Sequence, residues 1–211
     1  QNYFCKIIKV LKSFLNWATD KGYNSTRDFE KFKASDHDID IIYLSFEELM
    51  KLYNKDMKSD KLSQVRDFYC MGCFTGLRFS DLSKLHLANI SDDHIVISIQ
   101  KTKTQNHAIK LNKYAKEILN KYKGTIYEPL PVISSQKFNE YIKDCCELAE
   151  IKQSFTTHWF VGNQKKSLTQ PKHRFITSHT ARKTFITNSL LLGMEPKAIQ
   201  KIANIKKDAV L

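Results

Sequence analysis

Glycine and proline are scarce in this sequence, with six and four residues among 211, which excludes collagen-like and low-complexity chains. No apolar run reaches the roughly 18 residues that a membrane-spanning helix needs, so we expect no membrane contact. The five cysteines are odd in number, and the pair Cys70 and Cys73 has no second cysteine or histidine pair at zinc-ligand spacing. Because both fall within an apolar helical pattern, we expect buried free thiols in a reducing cytoplasm and no metal site at these cysteines.

Positive charge is what the sequence has in excess. The chain has 34 Lys and Arg residues against 22 Asp and Glu residues, for a net charge of +12. Residues 161–211 contain ten of the basic residues and two acidic ones, so this segment alone carries a net charge of +8. A phosphate polyanion is the natural partner for such a field, because its binding releases counterions. The charge by itself also fits a soluble protein with a basic surface.

The hydrophobic pattern divides the chain into two parts. Residues 2–20 form an amphipathic helical stripe, and Gly22 stands where the C-terminal cap of a helix belongs. Residues 24–40 are polar and are predicted to be a linker. We therefore predict a helix with its linker over residues 1–40 and a main domain over residues 41–211.

The main domain is predicted to be α+β and mainly helical, with one small antiparallel sheet. Ser45 and Glu48 have the spacing of a helix capping box, and Asn112, Ser178 and Pro196 are predicted to begin later helices. Further elements are predicted as helices over residues 61–74, 80–85 and 135–150, as the strands of a hairpin over 94–101 and 107–111, and as partly extended chain over 155–161.

A tight turn after the helix over residues 61–74 carries an arginine suited to phosphate. Gly76 ends that helix, and Arg78 follows it within the segment T-G-L-R-F-S-D-L. A guanidinium is a rigid fork of five donors that matches two phosphate oxygens. Asp81 lies three residues further on, close enough to orient Arg78. A surface ion pair between the two is the alternative interpretation.

The predicted hairpin carries two lysines near its turn, Lys101 and Lys103. A lysine in that place can enter a groove and donate a proton to a departing alkoxide. Lysines also occur on hairpin turns for solubility alone, so this feature does not identify a site by itself.

A third set of residues begins the helix predicted from residue 179. His179 and Arg182 are three residues apart, so they share one helix face beside the positive end of the helix dipole. An anion is stabilised there. The alternative is a histidine in a capping turn beside a solvated arginine.

Together the three sets resemble the signature of the tyrosine recombinases, the phage integrase family: T-G-L-R-x-S-[ED]-L, then a hairpin K-T, then H-x-x-R. Residues 178–188, S-H-T-A-R-K-T-F-I-T-N, are most similar to integrases of conjugative transposons. The resemblance runs from about Leu44 onward, and the first helix resembles the last helix of the family's separate core-binding domain. It implies the catalytic-domain fold of these enzymes.

The resemblance implies a site-specific DNA recombinase that integrates a mobile element by cutting and rejoining DNA through a 3′-phosphotyrosyl intermediate, with no metal or other cofactor. Arg78 and Arg182 would stabilise charge on the phosphate, and His179 would hydrogen-bond the phosphate or assist proton transfer. A hairpin lysine would protonate the leaving 5′-oxygen. Lys103 fits the strand phase better, and Lys101 is the alternative.

The C-terminal stretch departs from the family pattern I-x-x-I-x-G-H, because Ile205 stands where the second histidine belongs. Counting on from there, the nucleophilic tyrosine is expected a few residues beyond Leu211. The last tyrosine of the sequence, Tyr141, precedes the H-x-x-R helix and cannot replace it. Residues 1–211 alone are therefore expected to be inactive.

The expected partner is double-stranded DNA, bound by a homo-oligomer that is a tetramer on DNA, with a monomer in solution as an alternative. We expect a cytoplasmic location in association with the nucleoid. DNA contacts are predicted for six basic residues, Lys101, Lys165, Lys166, Lys172, Arg174 and Lys183. Two other functions remain open at this point: a recombinase-fold DNA-binding protein that no longer cuts, and a basic helical module that binds RNA.

Overall fold

Two compact units make up the structure, a computed structural model that describes residues 2–33, 41–99, 104–161 and 164–205. The first unit consists of Gln1–Asp40 with Phe155–Gln170, and the second of Ile41–Ser154 with Pro171–Leu211. The domain boundary after residue 40 stays a prediction. Residues 155–170, which were predicted to belong to the main domain, group with the first unit.

Helices predominate, as predicted, and the described strands form two small sheets. The helices are α1 (Asn2–Asp20), α2 (Phe46–Asn54), α3 (Asp60–Thr75), α4 (Phe79–Leu82), α5 (Lys113–Tyr122), α6 (Ser135–Leu148), α7 (Ser178–Leu191) and α8 (Pro196–Ala203). The strands are β1 (Asn89–Ile90), β2 (His94–Ile99), β3 (Thr104–Lys110), β4 (Ser154–Val161) and β5 (Gln164–Pro171). None of the described helices is both long and apolar enough to cross a bilayer.

The first unit contains α1 and most of the β4–β5 pair. Gly22 adopts φ +77° just beyond α1, as the predicted cap requires. The predicted linker contains a 3₁₀ turn, Asp28–Lys31. Strand β4 confirms the prediction of extended chain over residues 155–161, whereas β5 was not predicted. All eight residues of β5 are exposed, so its sequence lacks the alternation that reveals a half-buried strand.

Helix α3 is the centre of the second unit and packs against α2, α5, α6 and α7. Its second half is buried on every side, so its residues are apolar all round rather than along one stripe. Cys70 and Cys73 lie in this half and are buried free thiols, as predicted. Cys145 and Cys146 of α6 are also buried free thiols. Burial raises the pKa of the Cys145 thiol to about 12, which makes it unreactive at neutral pH.

The three-stranded sheet has the order β1-β2-β3 and is antiparallel throughout. Strand β2 directs Ile95, Ile97 and Ile99 into the core, as its alternation predicts. Ile97 pairs with His107 and Ile99 with Thr104, so β3 has one residue more than β2 between these pairs. The sheet therefore contains a β-bulge close to the start of β3.

Two helices have the N-terminal caps that the sequence predicts. The Ser45 amide donates to Glu48 Oε2 at 2.8 Å, and the Glu48 amide donates to Ser45 Oγ at 3.2 Å, which completes the capping box of α2. Asn112 Oδ1 accepts from the Ala115 amide at 2.9 Å and begins α5.

Two other helix starts differ from the prediction. Helix α7 is capped by Thr177 rather than by Ser178, because the Thr177 amide donates to Thr180 Oγ1 at 3.2 Å. The Ser178 amide instead donates to Asn139 Oδ1 of α6 at 2.8 Å. Ser80 lies inside α4, which ends at Leu82, and Arg78 takes the capping position.

Candidate active site

The turn after α3 fixes Arg78 beside the core. Gly76 ends α3 with φ +69°, and Arg78 follows with extended backbone at φ −76° and ψ 156°. The Arg78 guanidinium is one-fifth exposed. Its Nη2 donates to the Asn204 carbonyl at 3.4 Å, and its Nη1 lies 3.9 Å from Asp81 Oδ2.

Arg182 reaches the same turn from α7. Its Nη1 donates to the Gly76 carbonyl at 2.7 Å, and the residue is 8% exposed. Burial, followed by the positive charge of Arg78, lowers the pKa of Arg182 to about 10, while Asp81 opposes the shift. Arg182 is still charged at neutral pH. Since two neighbouring cations repel, an anion that contacts both guanidiniums would remove an unfavourable interaction.

Asp81 lies beside Arg78 and is 4% exposed. Burial raises the pKa of this carboxyl group, and the charges of Arg78 and Arg182 only partly oppose the shift. Among the described residues, neither Arg78 Nη1 nor Asp81 Oδ2 has a hydrogen-bond partner. A buried polar group left in that state costs about 1–3 kcal/mol. The pair is therefore not an ordinary surface ion pair, and Arg78 Nη1 is a buried donor without a hydrogen-bond partner among the described residues.

We expect the free energy of unfolding of Asp81→Asn to rise relative to that of the wild type as the pH rises. The pKa of Asp81 is raised in the folded state, so the folded protein binds this proton more tightly than the unfolded chain does. Wild-type stability therefore falls as the pH rises from the unfolded-state pKa through the folded-state pKa. The asparagine side chain of the variant would not titrate. Thermal unfolding of both proteins from acid to neutral pH measures the stability of the variant relative to the wild type. A relative stability of Asp81→Asn that falls as the pH rises would contradict this account.

His179 lies in the first turn of α7, one turn before Arg182, and is exposed. The structure thus brings Arg78, Asp81 and Arg182 together and places His179 on the adjoining helical turn. The two hairpin lysines, Lys101 and Lys103, lie outside the described residues.

Four of the basic residues predicted to contact DNA have accessible side chains. Lys165 and Lys166 are exposed on β5, largely within the first unit. Arg174 is exposed in the 3₁₀ turn before α7, and Lys183 is half-buried on α7 itself. A DNA contact remains a prediction for each of them.

Lys172 does not fit the predicted DNA surface. The residue is 9% exposed, and its Nζ lies 2.5 Å from Glu48 Oε2. Glu48 is the carboxylate of the α2 capping box, so Lys172 ties the start of α2 to the 3₁₀ turn before α7. A buried, ion-paired lysine has no free charge for a phosphate. We therefore assign Lys172 a structural role.

Residues that no sequence motif indicated lie around the end of α8. Asn204 is the C-cap of α8, with φ +49°, and its Nδ2 donates to Thr104 Oγ1 at 3.0 Å. His107 of β3 contacts the Ile202 carbonyl at 2.8 Å. An asparagine after the last periodic residue of a helix is a recognisable cap signal. No local pattern, however, predicts that this cap contacts β3.

Ile205 occupies the place of the family's second histidine. It is half-buried and packs against an apolar cluster of Phe185, Ile199 and Ala203. A hydrocarbon side chain neither donates nor accepts a hydrogen bond, so a second histidine has no counterpart at this position.

Solved structures of recombinases share the fold. A dimer of a lambda integrase fragment bound to a COC′ core site is 19% identical, with 96% of this chain and 69% of that one covered and a TM-score of 0.64. A lambda integrase tetramer bound to a Holliday junction is 18% identical, with 97% and 59% covered and a TM-score of 0.63. The Tn1549 transposon integrase in complex with transposon right end DNA is 17% identical, with 98% and 72% covered and a TM-score of 0.69.

The chain spans between 55% and 69% of the length of the first three lambda integrase chains that it matches. Among curated proteins, no sequence matches significantly. The predicted fold class, mainly helical α+β with the architecture of a recombinase catalytic domain, is confirmed.

One family profile accounts for most of the sequence. The profile described as the phage integrase family matches residues 43–210, which include all three motif sets. This match and the shared fold agree with the family resemblance of the three motif sets. The chain belongs to the phage integrase family, the tyrosine recombinases.

Proposed function

We propose that this chain is the catalytic domain of a site-specific recombinase that cuts and rejoins DNA through a 3′-phosphotyrosyl intermediate. The observation that supports this proposal best is that the guanidiniums of Arg78 and Arg182 both lie at the turn after α3. Arg182 donates to the Gly76 carbonyl, and Arg78 lies two residues after Gly76. Burial and, after it, the charge of Arg78 lower the pKa of Arg182. One phosphate bound by both arginines would offset the repulsion between them, because its negative charge attracts each guanidinium.

The chemistry of strand transfer uses these groups directly. Phosphodiester transfer concentrates negative charge on the non-bridging oxygens, and preorganised donors stabilise that charge without rearranging during the reaction. Arg182 is preorganised because its Nη1 is anchored, which leaves its other N–H groups for the phosphate. Arg78 offers Nη1.

The remaining roles belong to residues around the two arginines. His179 donates to the phosphate or assists proton transfer. A hairpin lysine, Lys103 with Lys101 as the alternative, protonates the leaving 5′-oxygen. The nucleophile is a tyrosine beyond Leu211, and its phosphotyrosyl bond stores the energy for rejoining.

The proposed partner is double-stranded DNA, and the proposed task is the integration of a mobile element. The solved neighbours include a dimer on a core site, a tetramer on a Holliday junction and an integrase on a transposon end, which supports the same partner and a tetrameric assembly here. We assign DNA contacts to Lys101, Lys165, Lys166, Arg174 and Lys183. The protein would then be associated with DNA, in the nucleoid of the cytoplasm.

Covalent trapping tests the proposal. The chain is extended past Leu211 along its own gene and incubated with a nicked duplex that loses a short fragment on cleavage, so that rejoining is blocked. We expect a protein–DNA adduct whose tyrosine lies within about a dozen residues of Leu211. Duplex binding without an adduct would favour a recombinase-fold protein that no longer cuts, and a preference for RNA over duplex DNA would end both DNA hypotheses.

The DNA affinity of residues 1–211 is expected to fall steeply with salt, because lysines and arginines displace counterions from phosphates. Replacing Lys165 and Lys166 by alanine should reduce the slope of log K against log salt by about 2, close to one unit for each lost phosphate contact. Fluorescence anisotropy with a labelled duplex measures the slope. Lys123→Ala combined with Lys137→Ala is the matched control, since both lysines are exposed and lie outside the predicted DNA surface. Equal slopes for the two double variants would remove Lys165 and Lys166 from that surface.

A further inference from the structure

We propose that Asn204 is a positioning residue that ties Arg78 to strand β3 and thereby sets the arginine and the lysine-bearing hairpin relative to one another. Asn204 itself takes no part in the chemistry. The structural link stands on its own contacts, whereas its catalytic meaning rests on the proposed function.

The backbone of Asn204 forms the first half of the link. Asn204 has left-handed backbone, φ +49° and ψ 59°, and the Ile205 amide donates back to the Gln200 carbonyl at 2.9 Å. This sharp end of α8 leaves the Asn204 carbonyl within reach of Arg78 Nη2, at 3.4 Å. Asparagine tolerates the left-handed region better than other residues with a side chain, apart from aspartate and histidine.

The side chain of Asn204 forms the second half. Its Nδ2 donates to Thr104 Oγ1 at 3.0 Å, and Thr104 Oγ1 donates to Asn204 Oδ1 at 3.4 Å. Asn204 is 9% exposed, so these bonds form where water competes little. The family pattern I-x-x-I-x-G-H has glycine at this position. Glycine would adopt the same backbone but could not bond to Thr104, so the link is a feature of this chain.

The β-bulge explains why Thr104 faces α8. Asn106 has φ +51° and supplies the extra residue of β3 between the pairs Ile97–His107 and Ile99–Thr104. An extra residue shifts the alternation of side chains by one, which places Thr104 on the same side of β3 as His107. His107 also contacts α8: a carbonyl oxygen only accepts, so His107 Nε2 carries the proton and donates to the Ile202 carbonyl at 2.8 Å.

The link joins Arg78 to strand β3, which follows the lysine segment, and in the proposed function Arg78 and a hairpin lysine act on the same phosphodiester. Asn204 holds Arg78 through its carbonyl and holds Thr104 through its amide group. Thr104 is the first residue of β3 and directly follows Lys103 in the sequence. An error of about 1 Å in such placement can cost roughly a hundredfold in rate.

Hydrogen exchange without DNA tests the link itself. Asn204→Gly keeps the left-handed backbone and removes the amide group, and Thr104→Val removes the hydroxyl at nearly constant volume. Each variant is expected to exchange the amides of Thr104–Lys110 faster than the wild type, while Thr104→Ser, which keeps the hydroxyl, is expected to match it. Unchanged exchange in both Asn204→Gly and Thr104→Val would overturn the link, whether or not the protein is a recombinase.

Single-turnover trapping on the nicked duplex, in the extended protein, tests the positioning role. Asn204→Gly and Thr104→Val are each expected to slow adduct formation about tenfold, the effect of one hydrogen bond. The double variant should be no slower than either single variant, because both changes break the same link. DNA affinity should stay within about twofold. Effects that multiply in the double variant, or an affinity loss equal to the rate loss, would overturn the role. Wild-type protein that forms no adduct would instead count against the proposed function.

Discussion

Replacing Arg182 with alanine is expected to lower the single-turnover rate of covalent adduct formation by roughly 10²–10³-fold, the cost of removing one preorganised donor from a developing oxyanion. Arg182 is buried, anchored to the Gly76 carbonyl and charged at neutral pH, so it needs no rearrangement to bind the phosphate. The measurement is adduct formation on the nicked duplex with protein in excess, which separates cleavage from product release.

Arg182→Lys distinguishes charge from geometry. Lysine keeps one positive charge but has a single nitrogen, which cannot bind the Gly76 carbonyl and also present a planar fork to the phosphate. We expect this variant to recover only a small part of the lost rate. Full recovery would mean that the charge of Arg182 suffices and that its anchoring to Gly76 has no catalytic value.

Two controls exclude trivial explanations of the Arg182→Ala result. The substitution leaves the Gly76 carbonyl without its donor, so the free energy of unfolding should fall by about 1–3 kcal/mol, too little to unfold the protein. DNA affinity should change little, because many other basic residues contribute to it. A rate loss that follows the unfolded fraction, or an adduct rate equal to wild type, would refute the assigned role.

The combination with Arg78→Ala tests whether the two arginines act on one group. If both guanidiniums bind the same phosphate, the second substitution should cost much less than the first. Losses that multiply would place Arg78 and Arg182 at separate steps or on separate phosphates.

Features with local determinants could be predicted from the sequence. The capping box of Ser45 and Glu48, the cap at Asn112 and the end of α3 at Gly76 each depend on residues within four positions of one another. The motif sets are equally local, and their family resemblance led to the correct fold. Where the prediction placed the start of α7 one residue late, both Thr177 and Ser178 were chemically suitable caps, and a contact with Asn139 of α6 decided between them.

Features that depend on distant partners could not be predicted. Lys172 was predicted to contact DNA because it lies in a basic segment, but Glu48, 124 residues earlier, holds it in a buried ion pair. The contact between Thr104 and Asn204 spans 100 residues. Strand β5 has no apolar face, so pairing with β4 rather than burial defines it. In each case tertiary structure decides between options that the local sequence leaves open.

Gly76→Ala is expected to produce the second large effect, in stability as well as in activity. Two costs add at this position. A residue with a Cβ pays about 1–2 kcal/mol to adopt φ +69°. The added Cβ would also lie 2.6 Å from Phe185 Cδ1 and 2.9 Å from Cε1, closer than packed carbon atoms approach. Such overpacking costs about 1–3 kcal/mol, so we expect the free energy of unfolding to fall by about 2–5 kcal/mol.

Gly193→Ala is the matched control for the backbone term. Gly193 follows α7 with φ +83°, and a Cβ there would meet nothing within 4 Å. This variant should pay only the cost of its backbone conformation, about 1–2 kcal/mol. Thermal or denaturant unfolding of the two variants therefore isolates the contact between Gly76 and Phe185. Equal losses of stability would mean that the Phe185 ring moves aside without cost.

Relief of the clash separates stability from catalysis. Phe185→Val removes Cδ1 and Cε1, the two ring atoms nearest to the added Cβ, so combining it with Gly76→Ala should give a smaller loss than the sum of the two single losses. The Gly76 carbonyl anchors Arg182, and the strained backbone would displace it. The double variant should therefore regain stability while its folded fraction still forms the adduct slowly. An adduct rate that returns together with stability would mean that Gly76 serves only packing, and that Arg182 finds the phosphate without its anchor.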